Sequence, residues 1–174
     1  GLAALRIPAP AFDITEAARR LLAASAMAEG TLRIAVSRGV GSKGYLPTHT
    51  EPSSLVLEML PPTAPPARLT LWHSAWRKPS AQMLPVAQKL AAGMNSVLAR
   101  MEAADHACEE ALQTNDADEI CEGSSSNLFW QDATGRLHTP ALACGLLAGV
   151  VRARLLEAGL SILEGRYPLA ALKD

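Results

Sequence analysis

Apolar residues recur along this chain in two rhythms, every third or fourth position and every second, and the places where the rhythm changes outline its elements. From Asp13 to Ala28 the spacing predicts a helix whose one face carries Ile14, Ala18, Leu21, Leu22 and Ser25. Asp13 or Thr15 is placed to cap it, Glu16 suits the positive end of its dipole, and Gly30 is expected to end it. Thr31 to Ser37 then alternates, with Leu32, Ile34 and Val36 on one side and Arg33, Ala35 and Ser37 on the other, which predicts a half-buried strand. Ser54 to Leu60 and Arg68 to Ser74 are two further predicted strands. Pro61, Pro62, Pro65 and Pro66 lie between them, and proline cannot extend a sheet ladder.

The helical rhythm returns at Leu90 to Ala103, where Leu90, Met94, Val97, Leu98 and Met101 repeat, and it places Lys89 at the start of an amphipathic helix. Glu110 to Thr114 and Glu119 to Cys121 are read as paired strands about a polar turn at Asn115 to Asp118. Asn127 to Trp130 and Arg136 to Thr139 form a second predicted hairpin. A last helix is expected from Gly149 to Ala158, after the loop Cys144 to Ala148. The pattern implies an α/β (α+β) fold in two domains. Residues 1–78 belong to a smaller N-terminal α/β domain, 79–86 form a linker in a polar, proline-bearing stretch, and 87–174 form a larger domain.

Composition narrows the classes of function. With 174 residues and 49% hydrophobic content the chain can bury a core, and sixteen basic against seventeen acidic residues leave a formal charge of −1. No Lys/Arg block offers a footprint for nucleic acid. The apolar run Ala141 to Val151 is interrupted by Gly145 and Gly149 and is too short for a bilayer span. No leader pattern argues for export, and the three cysteines, Cys108, Cys121 and Cys144, suit a reducing compartment, so a cytoplasmic setting is expected. The chain starts at Gly1 without Met and stops at Asp174 just past a strand-like stretch, which reads as a fragment of a longer fold, truncated at both ends.

Three familiar motifs can be set aside. Gly39, Gly41 and Gly44 satisfy the G-x-G-x-x-G spacing, but Tyr45, Leu46 and Pro47 lead into a polar loop where a dinucleotide fingerprint needs a helix. A glycine-rich turn that carries Lys43 and Tyr45 toward a site is the better reading. His49, His73, His106 and His138 have neither the spacing nor the cysteine partners of a metal centre. Glu122-Gly123-Ser124 is not the nucleophile elbow of a serine hydrolase.

What remains is Lys89 ahead of a helix, the stretch Glu122-Gly123-Ser124-Ser125-Ser126-Asn127-Leu128-Phe129-Trp130, and Thr139-Pro140 followed by Gly145 to Arg152. A lysine amine can form an imine with an aldehyde cofactor. A carboxylate such as Glu122 can hold a pyridinium nitrogen protonated, so that the ring accepts electrons. The N–H groups of Val150 and Val151, at a helix start behind Gly149, can bind a phosphate dianion. Each part also has an ordinary reading: a solvated lysine, a carboxylate beside a turn, a plain helix start.

Taken in order, these parts resemble the fold-type IV pyridoxal-phosphate enzymes, a family that includes branched-chain and D-amino-acid aminotransferases and 4-amino-4-deoxychorismate lyases. Lys89 stands ten residues before Ala99 in Val97-Leu98-Ala99-Arg100, and Glu109-Glu110-Ala111-Leu112 and the two later stretches follow in the family's sequence. The segment Leu32 to Tyr45, with Ser37-Arg38-Gly39 and Gly41-Ser42-Lys43-Gly44-Tyr45, is similar to a strand and loop of the lyase branch. The resemblance implies pyridoxal 5'-phosphate as cofactor, Lys89 as the Schiff-base residue and proton-transferring base, and Glu122 on the pyridine nitrogen. It also implies Leu147 against the ring, Ser125 and Gly149 within the cofactor site, and Val150 and Val151 on the phosphate through their amides. Arg38, Lys43 and Tyr45 become candidates for the substrate side. Val151 stands where the family usually has threonine, and Met94 where branched-chain aminotransferases have tyrosine.

The resemblance further implies a small-molecule amino substrate and a homodimer. The reaction it favours is conversion of 4-amino-4-deoxychorismate to 4-aminobenzoate and pyruvate, a step toward folate, because of the Arg38 to Tyr45 loop, Asn127 to Trp130 and the missing tyrosine. Transamination of branched-chain or D-amino acids is the alternative, and a non-catalytic scaffold of the same fold is an alternative of another class.

Overall fold

The computed structural model describes residues 1–41, 43–47, 52–64 and 66–172. Its chain folds as two units, Gly1–Pro66 and Ala67–Asp174. In the first, α1 spans Ile14–Ala24, and the Asp13 carboxylate caps it by accepting from the N–H groups of Thr15 (2.8 Å) and Glu16 (3.3 Å). The helix stops short of the expected Ala28. Ser25 closes it, through its amide to Leu21 and Leu22 and its hydroxyl to the Leu22 carbonyl. Gly30 serves the next element instead, at a point where a Cβ would come within 2.6 Å of the Leu60 carbonyl oxygen. There β1 (Thr31–Ser37) enters an antiparallel ribbon with β2 (Ser54–Leu60), in register from Thr31 opposite Leu60 to Ser37 opposite Ser54, with α1 packed against β2.

The second unit holds two three-stranded sheets. β3 (Leu71–His73) runs parallel to β4 (Glu110–Thr114), which pairs antiparallel with β5 (Ile120–Gly123). A parallel pair needs a long crossover, and here it is the run that contains α2 (Met94–Asp105). β6 (Trp130–Gln131) pairs antiparallel with β7 (Leu137–Pro140), and β7 pairs parallel with β8 (Ile162–Gly165) across α3 (Val150–Glu157). Two small cores result. Ala99 and Ala103 of α2 meet Ala111 of β4, with Trp72 and Cys108 at their edge, and Cys121, Cys144 and Leu146 form the other. Among the described residues no helix is long and apolar enough to cross a membrane.

Two differences from the sequence reading matter for function. Because β3 hydrogen-bonds to β4, the division of the chain falls at Pro66, so residues 67–78 and the stretch read as a linker both lie within the second unit. And α2 starts at Met94, not Leu90, with Gly93 as its N-cap residue. Glycine inside a helix would cost about 1 kcal/mol. Its place at the cap leaves Lys89 in an irregular segment ahead of the helix. The side of α2 that is buried is the alanine side, Ala99 and Ala103, whereas Met94, Val97 and Met101 face outward.

Candidate active site

Within the second unit, a cavity of about 550 Å³ opens between the end of β5, the start of α3 and the segment leading to α2. That is within the usual range for small-molecule sites. Lys89 and Glu122 line it, together with Ser125 and Leu147, and so do Gly149, Val150 and Val151. The residues assigned to a cofactor from the sequence thus share one wall system. Lys89 is exposed, and its segment is tied to the opposite loop by the Ala148 amide, which donates to the Ala87 carbonyl at 3.3 Å.

Glu122 sits opposite Gln113 in the β4–β5 ladder and is 6% exposed. Its Oε1 lies 2.7 Å from Lys78 Nζ. Its Oε2 accepts from Asn127 Nδ2 at 3.0 Å and from the Leu147 amide at 3.1 Å. Asn127 Nδ2 also donates to the Leu147 carbonyl at 3.0 Å, so one side chain locks the carboxylate to the loop that precedes α3. Gly149 is required by this arrangement, since a Cβ there would run into the Asn127 carboxamide oxygen. α3 then starts with Gly149 as its N-cap residue and no side chain capping it, so the first turn of the helix, which lines the cavity with Gly149, Val150 and Val151, keeps amides that no side chain satisfies. Behind them Arg152 is buried, with Nη2 donating to the Pro140 carbonyl at 2.9 Å and paired with Glu164, while its Nε is buried without a hydrogen-bond partner.

A second buried carboxylate shapes the turn after β5. Glu110 accepts from the amides of Ala111 (2.7 Å) and Ser124 (3.0 Å) and from the hydroxyls of Ser124 and Ser125, the latter at 2.9 Å. Burial pushes its carboxyl up, but these donors, led by the Ser124 hydroxyl, outweigh burial and hold it below the usual carboxylate range. Ser125 lines the cavity, yet its hydroxyl proton goes to Glu110. The structure therefore uses it to fix the turn.

Arg38, Lys43 and Tyr45 belong to the other unit. Arg38 Nη1 and Nη2 donate to the carbonyls of Arg6 (2.7 Å) and Leu5 (2.5 Å), while Lys43 and Tyr45 are exposed on the loop. Gly39 and Gly44 take φ of +92° and +99°, as a glycine turn requires, and among the described residues no helix lies between this loop and β2. His49 lies outside the described residues. His73 meets the Thr114 hydroxyl, His106 stacks on Trp72, and His138 bridges Asp132 (2.8 Å) and the Tyr167 hydroxyl (3.1 Å). Among the described residues no group of three or more metal-ligating side chains comes together.

Lys78, Asn127 and Glu110 were not assigned a role from the sequence. Lys78 lay at the last position given to the smaller N-terminal domain, beside the stretch read as a linker. Asn127 and Glu110 lay in motifs whose partners are distant along the chain.

An α/β unit with a lysine and a buried glutamate on one cavity, closed by an uncapped helix start, has the layout of a small-molecule enzyme site. The sequence profile of the family Amino-transferase class IV matches residues 1–174, and the chain belongs to that family. It is 28% identical over 178 residues to the aminodeoxychorismate lyase of Bacillus subtilis (strain 168), a match covering 92% of this chain and 57% of the relative. It is 32% identical over 118 residues to a protein of Rickettsia bellii (strain RML369-C) described as a branched-chain-amino-acid aminotransferase, covering 65% of this chain and 40% of the relative. Among solved structures, one from Legionella pneumophila described as a 4-amino-4-deoxychorismate lyase superposes with a TM-score of 0.89 at 20% identity, over 99% of this chain and 66% of the other. The branched-chain amino acid aminotransferase of Thermobaculum terrenum in its PLP form superposes with a TM-score of 0.83 at 23% identity, over 96% and 58%. The fold is that of fold-type IV enzymes, and the chain spans less than two thirds of the length of each of these proteins.

Proposed function

We propose that this chain is the cofactor-binding part of a pyridoxal 5'-phosphate enzyme that converts 4-amino-4-deoxychorismate to 4-aminobenzoate and pyruvate. The observation that carries the cofactor reading is the convergence of Lys89, Glu122 and the uncapped start of α3 on one cavity of about 550 Å³. The residues fit the group: the free amides of Val150 and Val151 suit a phosphate dianion, Glu122 suits a protonated ring nitrogen, and Leu147 offers an apolar contact. When bound, pyridoxal phosphate supplies an aldehyde that condenses with amines and a ring that draws electrons from a breaking bond.

The chain's own residues supply the rest. Glu122, held by Lys78, Asn127 and the Leu147 amide, keeps one orientation without help from a ligand. Lys89 makes no ion pair among the described residues, whereas Lys78 is engaged by Glu122, so Lys89 is the amine available to an aldehyde and to a proton on the substrate carbon. Ser124 and Ser125, fixed by Glu110, wall the cavity.

The lyase assignment is supported by the match to the Bacillus subtilis lyase, which covers 92% of this chain. It is supported too by Met94, which points outward from α2 and brings no hydroxyl to the cavity. Amino transfer is the second reading, favoured by the higher identity, 32%, of the shorter match. A homodimer and a cytoplasmic setting go with either reading, and the three cysteines are free thiols.

The test is the visible spectrum of the protein with added pyridoxal phosphate, followed by borohydride reduction and peptide mapping. A pyridoxyl group on Lys89, absent in Lys89→Ala, is the expected result. Release of pyruvate and 4-aminobenzoate then separates the lyase from a transaminase that yields a keto acid. An unmodified Lys89 would leave the non-catalytic scaffold.

A further inference from the structure

Lys78 is only 11% exposed at its side chain and stands on the cavity wall. Its place is fixed by the backbone. The Ser74 amide donates to the Leu112 carbonyl at 2.9 Å and the Lys78 amide to the Thr114 carbonyl at 3.0 Å, so the chain keeps company with β4 after β3 has ended. Nζ lies 2.7 Å from Glu122 Oε1, and the Glu122 side chain is itself 7% exposed. Removing either charge would leave the other buried without a counter-charge.

The other charged and titratable groups around Glu122 are engaged elsewhere. Arg152 is turned to the Pro140 carbonyl and Glu164, and Glu110 to Ala111, Ser124 and Ser125. The Cys121 thiol, next to Glu122 on β5, is pushed up to about 12, first by burial and then by Cys144, so it stays neutral. Lys89 lines the cavity without touching the carboxylate. Among the described residues, Lys78 is the cation that meets Glu122.

We infer that Lys78 is a positioning residue that sets how firmly Glu122 holds a proton on a heterocyclic ring nitrogen bound in this cavity, an inference that rests on the pyridoxal phosphate reading above. A carboxylate shared between two cations serves each less well than it would serve one, and the ammonium repels positive charge on the ring. Lys78 therefore loosens the hold on that proton, and its removal tightens it.

Pyridoxine 5'-phosphate, which has no aldehyde and cannot bond to Lys89, is the probe. Its ring nitrogen is titrated in complex with the protein by near-ultraviolet absorption. In Lys78→Met the loss of the ring proton moves up by about one pH unit, and in Lys78→Arg it returns to the wild-type position. If Lys78→Met does not fold, Lys78→Gln, which keeps a donor to Glu122 and drops the charge, gives the same reading. A complex of either variant that titrates as the wild type does overturns the role of Lys78 and leaves the cofactor reading standing, provided that borohydride still traps pyridoxal phosphate on Lys89. A wild-type protein that neither binds the probe nor is trapped at Lys89 removes both.

Discussion

Every residue of β4 and β5 is buried, whereas no residue of β1 or β2 is. Both pairs are antiparallel, and both carry charge, but they treat it differently. The β4–β5 ladder buries Glu110, Gln113, Thr114 and Glu122, and each of these polar groups has a partner. The β1–β2 ribbon places Arg33 opposite Glu58 in the open and leaves Ile34 and Val56 half exposed. A buried polar group without a partner is costly, so the ladder can adopt few arrangements. The ribbon has no such constraint. The carboxylate assigned to the ring nitrogen stands on the element where displacement costs most.

The largest expected effect tests that contrast directly. Ile120, fully buried in β5, is among the largest side chains in its core, and Ile120→Ala should cost about 3 kcal/mol in urea unfolding. Ile34→Ala, at a residue 50% exposed in β1, should cost less than about 1 kcal/mol. Equal losses would mean that the two pairs are stabilised alike and that the ladder has no special rigidity to lend to Glu122.

Glu110→Gln probes the polar side of the same contrast. The substitution keeps the shape and removes the charged acceptor of four donors, which should cost about 1.5–3 kcal/mol. It should also change the acid limb of stability. Because the folded carboxyl lies below its ordinary value, its contribution is full above the unfolded carboxylate value of about 4.3 and is lost as pH falls through the folded value. The gap between wild type and Glu110→Gln should therefore narrow from neutral pH to about pH 3. Glu102, Glu119 and Asp132 are also held below their usual range, and their contributions cancel in the difference. A gap that does not change with pH would mean that Glu110 is held by shape alone.

How far the sequence foretold these regions depended on how local their determinants are. β1, β2 and β4 have the predicted ends, because alternation or a short apolar run between turn residues marks each one within its own segment. The cavity-lining residues were legible for another reason: Lys89, Glu122 to Asn127 and Gly145 to Val151 are short motifs in an order that resembles a known family, although each run alone has an ordinary reading. Pairings between distant segments were not legible. β3 is three residues long and gains its place only from β4, so the unit boundary fell elsewhere than expected. Lys78 meets Glu122, and Glu110 meets Ser124 and Ser125, across stretches that no periodicity links. The start of α2 was missed because the apolar spacing runs through Gly93 while the backbone does not.

The smallest effect belongs to the ribbon. Arg33 and Glu58 face each other across β1 and β2 at 3.3 Å, with side chains 66% and 47% exposed. An ion pair this open is screened by water and salt and must hold two long side chains in one geometry, so its coupling should not exceed about 0.5 kcal/mol. A double-mutant cycle with Arg33→Ala and Glu58→Ala, run at low and at high salt, measures it. A coupling above about 1 kcal/mol that survives high salt would show that the ribbon's charges are as constrained as those of the ladder. Burial would then not be what distinguishes the two pairs, and the fixed position of Glu122 would need a cause other than the strands that carry it.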